Sequence, residues 1–392
     1  MIRYLSAQFI ITNSGPPLKR GIIAAGDDGT IISIEDTGGE LKETRDIEFY
    51  NGIIIPGFVN CHCHLELSHM RGAIPGGTGL AGFLTQLQKT RNSDPATIES
   101  SAAEADRELY NEGVVLCADI CNTPATFGIK KTSPVRYVNF LEVFATDPGK
   151  AESKMKAITK LAEDSERENL PFYIVPHTTY TVSMTLFRLL KEKTAENRVS
   201  SIHFMETRGE DTFISHHSGP LFEALKVACM LPEKLETPPD IVSAIMNEVT
   251  PAGSLILVHN TFTDRKTIQK INRRADTFWC LCPLSNIFIE NMLPPADLLA
   301  SENCDIVCGT DSLASNTKLS ILSELKLLQE NFPQLGLDEL IRWATINGAR
   351  ALGENDKFGK IETGMRPGLL LLKDADLTAF RLLADTSVTR LI

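Results

Sequence analysis

Five histidines and two carboxylates sit at or near the ends of short apolar runs. His62 and His64 lie in GFVNCHCH (57–64), and His177 closes FYIVPH (172–177). His203 and Glu206 fall in SSIHFMET (200–207), His259 in LILVHN (255–260), and Asp311 closes DIVCGTD (305–311). If the first run is a strand, residues two apart share a face, so the imidazoles of His62 and His64 point together. Cys61 and Cys63 then point the other way, towards flanking helices, which argues against a mixed Cys/His zinc knuckle. Two same-face imidazoles with a third from elsewhere suit a borderline-soft divalent metal such as zinc. Taken alone, H-x-H also fits chance or core packing, and His203 also fits a satisfied core histidine. Their shared place at strand ends is what points to a metal. His62, His64, His203 and Asp311 together would leave one coordination position for water.

Two more residues have the chemistry to move protons near such a centre. Glu206, three residues past His203, is close enough to carry a proton to a leaving group or ring nitrogen without binding the metal. The bland reading is a solvated loop glutamate. His259 is placed to take a proton from a water whose pKa a metal lowers to about 7. His177 is a candidate hydrogen-bond donor to substrate, or else a helix-cap or core partner. His69, His216 and His217 fall in loops or helix starts. There is no H-E-x-x-H, G-x-S-x-G or Walker A run, and no P-C-x-x-C of the small zinc nucleotide deaminases.

These residues need elements that bring strand ends to one place. Besides the five runs above, VVLCADI (114–120), VRYVNFLEVFA (135–145) and TFWCLCP (277–283) are apolar and strand-like. Segments of helical period separate most of them, among them LAGFLTQLQKTR, AESKMKAITKLAEDSERE and LSILSELKLLQENF. Apolar runs alternating with helices read as parallel βα units, and eight such units close a barrel whose reactive groups sit at the C-terminal strand ends. An open doubly wound sheet is the alternative, but no G-x-G-x-x-G follows a strand. The ends differ from the centre. FIITN, GIIAAG, TIISIED and FYNGIIIPGFVN, and the far C-terminus, alternate β-like runs with turns. The expectation is an α/β chain: a (β/α)₈ TIM barrel over 55–354, with a small β-sandwich module built from 1–54 and 355–392.

Composition narrows the partners. The 392 residues carry a formal net charge of −11 with Lys and Arg scattered, so neither nucleic acid nor an anionic lipid surface is an expected partner. No run approaches the roughly 20 apolar residues of a spanning helix, and the N-terminus lacks signal-peptide character. Nine cysteines, several inside apolar runs, read as reduced core thiols of a cytoplasmic protein.

PGFVNCHCH, HFMET, LVHN, CPLSN and GTDSLASN, in this order and spacing, resemble the amidohydrolase superfamily, most closely its guanine deaminases, chlorohydrolases and deaminases of adenosine-like compounds. The stretch CHCHLELSHMRGAIPGGTGLAGFL is also similar to aminodeoxyfutalosine deaminases. The resemblance spans nearly the whole chain. It implies metal ligands at His62, His64, His203 and Asp311, and proton transfer by Glu206 and His259 with Asp311. It also implies purine or ribose contacts at His177 and Ser315. A lysine that would bridge two ions is replaced at the fourth strand by His177, so the resemblance implies one divalent metal: zinc, with iron or manganese as alternatives. It also allows a homodimer. The chain departs from many relatives at Glu66, His69 and Arg71, in the loop that selects substrate, and in the C-terminal RPGLLLL.

The expected activity is removal of an amine from a small heterocycle, a purine or adenosine-like nucleoside, by metal-activated water. Hydrolysis of another C–N bond or a C–Cl bond on the same scaffold is the second reading. A metal-stabilised binding protein is the third.

Overall fold

The computed structural model describes residues 1–42 and 46–392. All eight central apolar runs are strands: Phe58–Cys63, Val114–Cys121, Arg136–Val143, Phe172–Pro176, Val199–Phe204, Ser254–His259, Thr277–Leu281 and Asp305–Cys308. They are parallel, and helices such as Pro95–Asn111, Ala151–Arg167 and Met184–Thr194 lie between them. The fold is an α/β TIM barrel.

The barrel's ladder is not continuous. The first four strands form one four-stranded sheet and the last four another. Single parallel bridges join the two sheets, Thr178 to His203 at one seam and Cys63 to Asp311 at the other. Each bridge is made in part by one backbone bond: the amide of His203 donates to the His177 carbonyl at 3.0 Å, and that of Asp311 donates to the His62 carbonyl at 3.0 Å.

Side chains sort by the two-residue period of a strand. One buried apolar cluster draws on all eight strands, with Val59, Leu116, Phe140, Val175, Val199, Ile256, Phe278 and Val307 among its members, and fills the barrel interior. A second cluster packs the outward residues, such as Leu141, Leu257 and Trp279, against helical residues such as Leu109, Leu186 and Leu325. The first strand breaks the expected alternation. Cys63 packs outward, but Cys61 belongs to the interior cluster, against the expectation that both thiols face the helices. The physical reason is a register irregularity between Asn60 and Cys63, which resets the period just where the histidines emerge. At the other end of the barrel, Ala344 accepts the amide of Val59 at 2.8 Å. Ala349, Ala351 and Leu352 there join the interior cluster, so the helix Ile346–Ala351 closes that end.

Strands from both termini share one seven-stranded mixed sheet. Ile2–Ile10 lies parallel to Ile47–Pro56 and antiparallel to Ile22–Gly26, and Leu369–Lys373 pairs antiparallel with Ile47–Pro56. Gly57 links this sheet to the first barrel strand: a Cβ there would meet Val115 at 2.3 Å, so the close approach needs glycine. All nine cysteines are free. Among the described residues, no helix is long and apolar enough to cross a membrane.

Candidate metal and proton-transfer site

The strand-end residues gather at one mouth of the barrel. The Nε2 atoms of His62 and His64 face each other at 3.1 Å. Asp311 Oδ1 lies 3.6 Å from the first and 3.4 Å from the second. His203 joins them, with one donor atom from each of the three histidines within 4.8 Å of the others. Donors about 2.0–2.1 Å from a shared tetrahedral ion stand on the order of 3.4 Å apart, so this grouping fits a zinc-sized ion. The donor chemistry fits as well. Burial, with the neighbouring His62, pushes the imidazoles of His64 and His203 down, to about 3 for His203, which keeps their lone pairs free. Burial works against the charged form of Asp311, but the imidazoles of His62, His64 and His259 outweigh it and hold the carboxyl well below its ordinary range.

Two of the donors are held from behind. His203 Nδ1 donates to the His177 carbonyl at 3.0 Å, which leaves Nε2 as its lone-pair nitrogen. Asp311 Oδ2 accepts from Ser285 Oγ at 2.6 Å and from Ser315 Oγ at 2.7 Å. The segment after His64 is pinned by Asp119, which accepts the Leu65 amide at 2.7 Å and is neutralised by the buried Lys130 at 2.5 Å. Asp311 and His259 both adopt left-handed backbone, with φ of +56° and +79°. This uncommon conformation turns side chains at the very end of a strand towards the mouth.

Glu206 and His259 form a second pair beside the cluster, with His259 Nε2 3.7 Å from Glu206 Oε1. Burial, reinforced by Asp311, Glu210 and Glu290, raises the Glu206 carboxyl well above its ordinary range, which favours the form that can donate a proton. Burial lowers His259. The amide of Asn286 lies 3.1 Å from His259 Nδ1 and fixes the ring's orientation. Glu210 accepts the successive backbone amides of Met205, Glu206 and Thr207 at 3.2, 2.7 and 3.4 Å, and so sets the loop that carries Glu206.

A cavity of about 270 Å³ opens beside the cluster. His64, His177 and Glu142 line it together with Leu84, Leu87, Phe144 and Met230, and Lys89 and Arg91 are the cations on its lining. His177, expected at the substrate, lines this cavity and bonds Thr181 Oγ1 through Nδ1 at 2.7 Å. Ser315, also expected against the substrate, is instead fully buried behind Asp311, its hydroxyl committed to the carboxylate. A Ser315→Ala enzyme should therefore lose about 10–100-fold in metal affinity or turnover, the usual cost of removing a group that orients a ligand. An unchanged metal dissociation constant together with a raised KM would instead return Ser315 to substrate binding.

The loop residues of unknown purpose have structural partners. Glu66 accepts the amides of Asn122 and Thr123, each at 3.2 Å, and burial pushes its carboxyl up to about 7. His69 bonds the Arg91 carbonyl at 3.0 Å, and Arg71 pairs with Glu108 at 2.6 Å. His216 ends the helix Gly209–His216 instead of starting one. Reading the sequence missed Glu142, Glu210, Ser285 and Asn286. The last two stand in CPLSN, and Glu210 follows Glu206 by four residues, which is the only local signal they offer.

The chain is 24% identical over 333 residues to an adenosine deaminase of Helicobacter pylori, covering 82% of this chain and 79% of that one. Its structure is similar to that of the Helicobacter pylori aminofutalosine deaminase in complex with methylthio-coformycin (TM-score 0.78, 21% identity, 95% and 93% of the two chains). It is also similar to a zinc-bound adenosine deaminase from Xanthomonas campestris (TM-score 0.70, 21% identity, 96% and 85%). The Amidohydrolase family model matches residues 53–391, most of the sequence, and the chain belongs to that family.

Proposed function

We propose that this protein is a single-metal aminohydrolase that removes the exocyclic amine of a purine or adenosine-like nucleoside. The observation that carries the reading is the convergence of His62, His64, His203 and Asp311, with the Glu206–His259 pair alongside. The names of its relatives, adenosine and aminofutalosine deaminases, support the substrate class. His62, His64, His203 and Asp311 would hold the metal, and their nitrogen-rich set favours zinc over manganese. Bound there, a divalent ion supplies water acidified to a pKa of about 7 as the nucleophile.

The protein's own groups do the rest. Asp311 and His259 take up the proton that the attacking water gives up. Glu206, protonated in its buried setting, donates to the ring nitrogen next to the carbon under attack, which makes that carbon more electrophilic. The proton taken up by Asp311 and His259 passes to the amine, which leaves as ammonia, and the new hydroxyl gives its proton back to Glu206 as it becomes the carbonyl. The composite module of residues 1–54 and 355–392 is part of the same proposal, supported by the shared sheet. Nine free thiols support a reducing, cytoplasmic location.

The test is ammonia release from aminopurines, adenosine-like nucleosides, pterins and cytosine, with protein loaded in turn with zinc, iron and manganese. Metal-dependent release from a purine or nucleoside is the expected result. Release from none of the panel, with hydrolysis of a C–Cl bond or a cyclic amide instead, would overturn it.

A further inference from the structure

We propose that Glu142 recognises the sugar of a nucleoside substrate, its free carboxylate oxygen accepting hydrogen bonds from two neighbouring ribose hydroxyls. The proposal rests on the deaminase reading above. Glu142 stands near the end of the third barrel strand, Arg136–Val143, is buried, and lines the cavity beside the histidine cluster. Its Oε2 is taken by Asn122 Nδ2 at 3.1 Å, while its Oε1 is buried with no partner. The nearby His203 Nδ1, 3.6 Å away, does not fill that vacancy, because its proton is committed to the His177 carbonyl at 3.0 Å. A buried carboxylate oxygen without a partner is costly, and because Glu142 lines the cavity a ligand there can supply the missing donors.

The chemistry of the missing partner follows from that atom. An ionised carboxylate only accepts, so the ligand must bring donors. The amine to be removed is one donor, but it belongs beside Glu206 and His259, just past the fifth strand and at the end of the sixth. Glu142, on the third strand, lies across the fourth-strand His177 from them. What an adenosine-like nucleoside has left to donate there is its ribose hydroxyls, of which the neighbouring 2′ and 3′ pair can both reach one oxygen. An imidazole nitrogen of His177 lies within 4.8 Å of the Glu142 carboxylate, close enough to share a hydroxyl with it. Past Glu142 the cavity lining becomes apolar at Leu84, Leu87 and Phe144, which leaves space for a substituent on the sugar.

The test separates this proposal from the deaminase reading by measuring binding without turnover. Inosine and 2′,3′-dideoxyinosine carry no amine to lose, and calorimetry on metal-loaded protein gives the affinity of each. One charge-assisted hydrogen bond corresponds to roughly 10–100-fold in affinity, so the parent should prefer inosine by at least about 10-fold and the variants by less than about 3-fold. The variants are Glu142→Gln, which keeps the shape, and Glu142→Ala. Their metal content and their affinity for the dideoxy compound should match the parent's. An equal loss for both ligands, a fall in bound metal, an unchanged ratio, or failure of the parent to favour inosine would each overturn the assignment. If the parent favours inosine but releases ammonia from no nucleoside, the deaminase reading falls and the hydroxyl contact stands.

Discussion

A Glu206→Gln enzyme is expected to release ammonia at least about 10²-fold more slowly than the parent while holding the same amount of metal. The change keeps size and polarity but removes a carboxyl whose acid form burial, together with Asp311, Glu210 and Glu290, favours. Its partner His259 stays 3.7 Å away and cannot substitute, because its own ring is pushed towards the neutral form by burial. The loss should appear in kcat, since the proton is needed in the transition state and not for binding. Full activity in the variant would remove Glu206 from the chemistry. A parallel loss of metal would instead make it part of the metal's surroundings.

His203→Ala is expected to act on the other half of the machinery. It deletes one of the three imidazoles that converge within 4.8 Å. Metal content should fall, and activity should drop by more than the about 10–100-fold that changes behind a ligand cost. Chelation of the parent should do the same reversibly, and its melting temperature should fall as the ion is withdrawn. Retained stoichiometry and turnover in His203→Ala would show that the ion, if any, sits elsewhere. Elemental analysis and an ammonia assay on the same preparations distinguish the two variants.

How far the sequence carried can be judged from particular residues. The eight strands were legible because runs such as VVLCADI are apolar at nearly every position, and Val114–Cys121 is indeed buried throughout. The clustering of His62, His64, His203 and Asp311 was legible because they stand at or near strand ends, which a barrel brings together whatever the loops do. Cys61 was misread because strict alternation was assumed through a strand whose register slips, a feature set by pairing with the neighbouring strand and not by local composition. Ser315 shows what a motif leaves open: it fixes a position along the chain, whereas the setting of the hydroxyl, bonded to Asp311 and to Ser285 thirty residues earlier, comes from the fold. Glu142 and Asn286 were invisible for a related reason. Each matters through partners on other strands, and nothing in VRYVNFLEVFA or CPLSN names those partners.

The two seams of the barrel have a mechanical consequence. His62 rides on one four-stranded sheet with His64 just beyond its first strand, whereas His203 lies on the other and Asp311 just beyond its last strand. An ion gripping all four would therefore act as a rivet between half-shells that otherwise meet there through single bridges. Loosening that joint would disperse the ligands before either half lost its own strands. The activity is thus tied to the integrity of the weakest line in the wall.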